Sequence, residues 1–123
     1  MKLTGKCKED FEKWFEPPLK ENEKDPWGIA LYGSMVAEFY SLTESMQYGV
    51  YVDFFDIVKI NVDLQPVYNY TKENYSSINH FIINVIELGK LDEDYKLIEE
   101  KNRPKARTTA IEKADEIYNK TIK

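Results

Sequence analysis

Apolar residues recur along this chain first at a helical period, then in alternation, and at a helical period again near the C-terminal end. Leu3, Cys7, Phe11, Trp14 and Phe15 recur at helical spacing, so residues 3–16 are expected to form a helix with one apolar stripe. Thr4 stands where an N-cap belongs. Pro17 and Pro18 stop the helix, since neither offers a backbone N–H and each restricts the residue before it. A polar loop, "LKENEKD" (19–25), follows. Asp25 then Pro26 predicts the start of a second helix through "PWGIALYGSMVAEFYSL", with Ala30, Leu31, Met35 and Phe39 on one side. Gly28 and Gly33 weaken it, each by about 1 kcal/mol relative to alanine, or mark close backbone contacts.

Thr43 is expected to cap a third helix containing "SMQYGVYVDFFD" (45–56), which crowds Tyr48, Tyr51, Phe54 and Phe55 beside two aspartates. Gln47, Val50, Tyr51, Phe54, Phe55 and Val58 share one stripe, and Met46 and Ile57 are expected to widen it. Asp53 and Asp56, three apart, share another face. The aromatics therefore read as a packing face, with the acids keeping the opposite side wet. After Lys59 the period becomes two. Ile60, Val62, Leu64, Pro66, Tyr68 and Tyr70 alternate with Asn61, Asp63, Gln65, Val67 and Asn69, which predicts a half-buried strand over 60–70. Pro66 places it at an edge or a bulge. "TKENYSS" reads as a turn, and residues 78–88, apolar on both parities, as a more central strand. The two form an antiparallel hairpin with a long loop. Residues 90–102 fit a helix or a third strand. The last helix is opened by Pro104, with Ala106, Ala110, Ala114, Ile117 and Tyr118 inside. The expected fold class is α+β: three to four helices on one face of a small antiparallel sheet, in a single domain over 1–123.

Composition narrows the function. The chain has 123 residues, 42% hydrophobic and 32% charged, which is ordinary for a globular protein. Its single cysteine, Cys7, rules out an internal disulfide and points to a reducing compartment. The N-terminal stretch "MKLTGKCKEDFEKWF" has no apolar signal region, and no run is long enough to span a membrane. The net charge of −5 argues against nucleic acid as a partner. The charge is uneven: residues 101–123 carry seven basic and three acidic groups, a net +4, which leaves −9 on the first hundred. Such asymmetry could favour antiparallel self-association or an anionic ligand at the C-terminal end, but a solvated charged helix is the simpler reading.

Candidate chemistry is sparse. His80 is the one histidine, and neither HExxH nor CxxC occurs, so no metal or cofactor is expected. "LDEDYKLIEE" has Leu97 where a calcium loop beginning at Asp92 needs glycine. Cys7 lies on an apolar stripe and reads as a buried structural thiol, and His80 as a hydrogen-bonded structural histidine. Glycine-rich phosphate loops and GxSxG are absent. Asp53 with Asp56, or with Asp63, would be a carboxylate pair for hydrolysis if burial separated their roles. Arg103, Lys105 and Arg107 surround the start of the last helix, and the chain's two arginines are both there. Free N–H groups beside them would favour an anion, such as a phosphorylated small ligand. The alternative is that these cations pair with the acids at 92–94. Tyr68, Tyr70 and Tyr75 make a second candidate, an edge with exposed aromatics able to pair with another chain.

The segments "KEDFEKWF", "SMQYGVYVDFFD" and "NRPKARTTAIEKADEIYN" together resemble a group of small proteins encoded by phages and prophages of Bacteroidota. The likeness covers about half the chain and leaves 60–100 aside. It implies a phage-type origin and action in the cytoplasm of the bacterial host, and it carries no catalytic residue with it. The expectation is a non-enzymatic accessory protein that binds a host or phage protein, either as a monomer or as a homodimer. Sequestration of a phosphorylated ligand and carboxylate-dependent hydrolysis are the alternatives.

Overall fold

The computed structural model describes residues 1–17, 35–70, 75–90 and 98–121. Their elements run α1 (Gly5–Phe15), α2 (Met35–Tyr40), α3 (Glu44–Ile57), β1 (Ile60–Tyr70), β2 (Tyr75–Glu87), β3 (Ile98–Glu100) and α4 (Arg103–Thr121). The strands form one antiparallel sheet in the order β1-β2-β3. Helices α3 and α4 pack on one face of it, giving the expected α+β class. The predicted second helix before Met35 lies outside the described residues, as do the acids at 92–94.

Alternation sets the two sheet faces. Ile60, Val62 and Leu64 pair with Glu87, Val85 and Ile83, and these positions turn toward the helices. Asn61, Asp63, Gln65 and Val67 pair with Ile86, Asn84, Ile82 and His80 on the other parity. β1 is an edge strand, as Pro66 implies, and its register shifts between Val67 and Tyr68 and again between Asn69 and Tyr70. β2 begins at Tyr75, so the hairpin connection is shorter than the turn-rich "TKENYSS" indicates. The ambiguous segment yields a short strand, β3.

The interior is aromatic. The Phe11 ring lies 4.9 Å from Tyr51, 5.1 Å from Phe39 and 5.5 Å from Phe54, tilted or edge-on, with Trp14 and Phe15 also against it. Offset and edge-to-face rings add about 0.5–1.5 kcal/mol per pair beyond burial. On α4, Ala106, Ala110, Ala114 and Tyr118 are buried as predicted, together with Ile111 and Asp115. Two expectations fail. Met46 and Ile57 do not widen the α3 stripe: they are 59% and 57% exposed, because Gln47, Tyr51, Phe54 and Phe55 already fill the inward arc. Met35 is likewise exposed, while Phe39 turns inward.

The helix caps also differ from expectation. Thr4 occupies the N-cap of α1, but its side chain caps nothing in its own helix. Its N–H and hydroxyl donate instead to Asp115 on α4, at 2.8 and 2.7 Å. Asn119 supplies the missing cap from α4. Its Oδ1 accepts the Cys7 N–H at 2.9 Å, and its Nδ2 donates to the Thr4 carbonyl at 3.0 Å. Gly5, between them, holds φ +54°, and a Cβ there would come within 3.3 Å of the Asn119 side chain. Both facts require glycine. Further along, Tyr118 donates to Asp10 at 2.5 Å, and that bond, with help from Lys6, holds the Asp10 carboxyl below its ordinary range. Thr43 likewise caps α3 through its carbonyl, which accepts from Met46 and Gln47, and not through its side chain.

Removing the Asn119 cap (Asn119→Ala) should lower stability by about 1–2 kcal/mol. Gly5→Ala should cost at least about 1 kcal/mol, since it strains the backbone and displaces the same side chain. Urea midpoints with unchanged slopes will show both losses.

Tyr51 is fully buried, and its hydroxyl has no hydrogen-bond partner among the described residues. Burial, chiefly, with Cys7, Glu12 and Asp115 nearby, pushes its phenol up to about 12. An unfolded tyrosine ionises near pH 10. Between the two values the unfolded chain binds fewer protons, so stability falls as pH rises from about 10 to about 12. Tyr51→Phe should raise stability by roughly 1 kcal/mol at neutral pH, because it removes an unsatisfied buried hydroxyl. It should also flatten that alkaline decline, measured as urea midpoint against pH.

Candidate functional site

Asn102 starts α4, a signal that the emphasis on Pro104 hides. Its Oδ1 accepts the Lys105 N–H at 2.8 Å, and its carbonyl accepts the Ala106 N–H at 3.0 Å. Pro104 has no N–H to give. The first turn of α4 is therefore already capped, and the row of free backbone donors expected to hold an anion is not there. What remains is side-chain chemistry. Arg103 and Arg107, four apart, share a face of α4, whereas Lys105 points elsewhere and stays exposed. The Arg103 guanidinium stacks 4.7 Å from the centre of the Phe81 ring, which fixes its direction.

Both arginines line a groove of about 520 Å³ between α3, β1 and α4, a volume within the range of small-ligand sites. Ser45, Tyr48, Gly49, Val52 and Asp53 come from α3, and Val62, Asp63 and Leu64 from β1. The groove thus joins Asp53 and Asp63, one of the two carboxylate pairings read from the sequence. It leaves out Asp56, which is exposed elsewhere on α3. Both groove aspartates are exposed, so the burial that distinguishes an acid from a base in hydrolases is absent at this pair. Tyr48 is half-buried in the wall. Burial raises its phenol and Asp63 adds to the rise, while Arg107 and Arg103 oppose it, so the ring stands in the field of both charge signs. Among the described residues, no carboxylate lies within ion-pair distance of either guanidinium.

The tyrosine candidate divides. Tyr68 is exposed and pairs with Ile78 just past the bulge. Tyr70 and Tyr75 face each other in register at the hairpin end, and their side chains lie outside the described residues. On the sheet parity turned away from the helices, Ile86 is exposed, Ile82 and Val67 are half-buried, and His80 Nε2 sits 3.8 Å from the Glu99 carboxylate. Cys7 is wholly buried, and burial, with Asp115 beside it, pushes the thiol well above its ordinary range. It is a packing residue.

No protein-family model, curated protein or solved structure matches this chain. Among the described residues, no helix is long and apolar enough to cross a membrane, and no group of three or more His, Cys, Asp or Glu is arranged to hold a metal ion.

The sequence reading missed Tyr48 and Gly49 as groove residues and Asn102 as the cap. Gly49 was the available signal, since a glycine inside a regular helical pattern calls for a reason. Because Asp53 is exposed, Arg107 is half-buried and, among the described residues, neither is in an ion pair, Asp53→Asn and Arg107→Ala should each change stability by no more than about 0.5 kcal/mol. Thermal melts will test whether these residues serve the fold.

Proposed function

We propose that this chain is a non-enzymatic accessory protein of phage type that acts inside a bacterial host by binding another protein. The phage-type reading rests on the three segments that resemble that group. The binding reading rests chiefly on one observation: large apolar side chains stand exposed on the sheet, with Tyr68, Ile78 and Ile86 between 39% and 48% exposed. Tyr68 and Ile78 pair across the strands, and Ile86 adds a second exposed position farther along β2; exposed apolar side chains on a sheet are a common feature of interaction sites.

Charge argues about the partner. Within the described strands, the formal charges on the helix-free parity are Asp63 on β1 and Glu99 on β3. A partner with an apolar patch flanked by basic residues complements this surface. A second copy would bring acids against acids, which disfavours a homodimer here. Edge-to-edge pairing through β1 is also discouraged, because Pro66 removes a donor and the following bulges bend the edge.

The second reading, an anionic small ligand on Arg103 and Arg107, draws support from the groove that gathers them. Lys105 does not join it.

The test is capture from host extract by the wild-type chain, by Ile86→Lys and by Tyr68→Ser, with Arg107→Ala as a control. A specific partner held by wild type and by Arg107→Ala, lost in Ile86→Lys or Tyr68→Ser and weakened by added salt, is the expected result. Retention by folded Ile86→Lys and Tyr68→Ser variants, or loss only in Arg107→Ala, would remove the sheet as the contact surface.

A further inference from the structure

The groove between α3, β1 and α4 holds both signs of charge, and its rim carries a glycine that the fold does not explain. Gly49 lies in the interior of α3 without a positive φ, and a Cβ built there would meet no atom within 4 Å. Helix interiors disfavour glycine relative to alanine. Neither packing nor backbone geometry asks for one here. Glycine also lets another molecule come close to a backbone, and Gly49 lines the groove.

The charges define what that molecule is. Two aspartates and two arginines line one groove and sum to zero formal charge. Among the described residues, the arginines are not ion-paired to any carboxylate. A phosphate dianion would meet Arg103 and Arg107 but also Asp53 and Asp63, and the backbone donors of α4 that would favour it are taken by Asn102. A ligand with one charge of each sign meets no such conflict. Tyr48, Val52 and Leu64 supply an apolar surface between the charged walls.

We propose that this groove binds a small peptide-like zwitterion with an apolar body. Arg103 and Arg107 hold its carboxylate, Asp53 and Asp63 hold its ammonium, and its chain passes Gly49 with the body against Tyr48. Asp63 at the β1 edge is common to this groove and to the sheet surface assigned to a protein partner, but the arginines, Asp53, Tyr48 and Gly49 belong to the groove alone, so either reading can stand without the other.

Calorimetric titration of the full chain with phenylalanine, glycyl-phenylalanine and glycyl-glycyl-phenylalanine steps the distance between the two charges. At least one of these is expected to bind at millimolar concentration or below. Blocking its amine by acetylation, or its carboxylate as the amide, should each weaken binding about tenfold or more, since each removes a charge-assisted contact. Asp53→Asn should erase the penalty for acetylation, and Arg107→Ala the penalty for amidation. Gly49→Ala should raise the melting temperature of the free chain and yet weaken binding, a combination that a purely structural role does not produce. Absence of binding by all three peptides overturns the proposal. So does equal binding of the acetylated and free forms, which would mark a simple anion site. Undiminished binding by Gly49→Ala overturns the close approach at that residue. The blocked peptides act on the unaltered protein, so they decide the matter even if a variant fails to fold.

Discussion

Two side chains near the C-terminal end of α4, Asp115 and Asn119, hold the beginning of the chain. Helix α1 runs against α4 and α2 and sends Phe11 and Trp14 into the α3 aromatics, and α4 fixes where it starts. Asp115 is a buried carboxylate, which is costly unless its oxygens are satisfied. The Thr4 N–H and hydroxyl satisfy one oxygen each. Asn119 completes the join by accepting from Cys7 and donating back to Thr4. Loss of either partner would leave buried polar groups unpaired, and that penalty makes the arrangement specific. Glycine at position 5 suits this arrangement, since its φ of +54° strains other residues and a Cβ would press on the Asn119 side chain at 3.3 Å.

The same helix sets up the groove. α4 packs on all three strands and on α3, and its alanines permit close approach along most of its length. One end is tied to α1. At the other, Asn102 caps the first turn and Arg103 rests on Phe81. A helix fixed at both ends presents Arg103 and Arg107 at a set distance from α3 and the β1 edge. The aromatic cluster around Phe11 does the corresponding work for α3, since Tyr51 and Phe54 are anchored inward while Tyr48 and Asp53 remain on the groove side. Pre-positioned charges lose little freedom when a ligand arrives.

Much of this architecture was legible in the residues, for stated reasons. Periods of 3.6 and 2 locate α1, α3, α4 and both long strands, and Pro66 places β1 at the edge, because each signal is local. What the residues hide is relational. Thr4 reads as a self-contained cap, yet its partners lie 111 and 115 positions away. Pro104 reads as the opening of α4, whereas Asn102 does the capping. Met46 and Ile57 read as core because periodicity fixes a direction on the helix but not the width of the buried arc. For the groove, the arginines and Asp53 were visible as candidates. Asp63 was visible too, as a partner for Asp53, but the meeting of the arginines with these acids and with Tyr48 was not, because it depends on how α4 crosses the sheet.

The uneven charge of the sequence takes on a different meaning in three dimensions. A +4 C-terminal segment and a −9 remainder look like a bipolar molecule. Lys113 and Lys120 share Glu116 on the same helix, a carboxylate already counted in the +4. Arg103 and Arg107 instead face acids across the groove. Asp63 at the β1 edge counts toward both surfaces: with it the groove sums to zero, and Glu99 is the acid that the sheet surface keeps to itself. These carboxylates attract basic groups and repel acidic ones near the sheet, over a Debye length of about 8 Å at physiological salt. Within the groove the opposed signs cancel at that range, and only short contacts between individual groups remain. α4 is thus the element that holds the recess in register with the sheet, since it packs on all three strands and on α3.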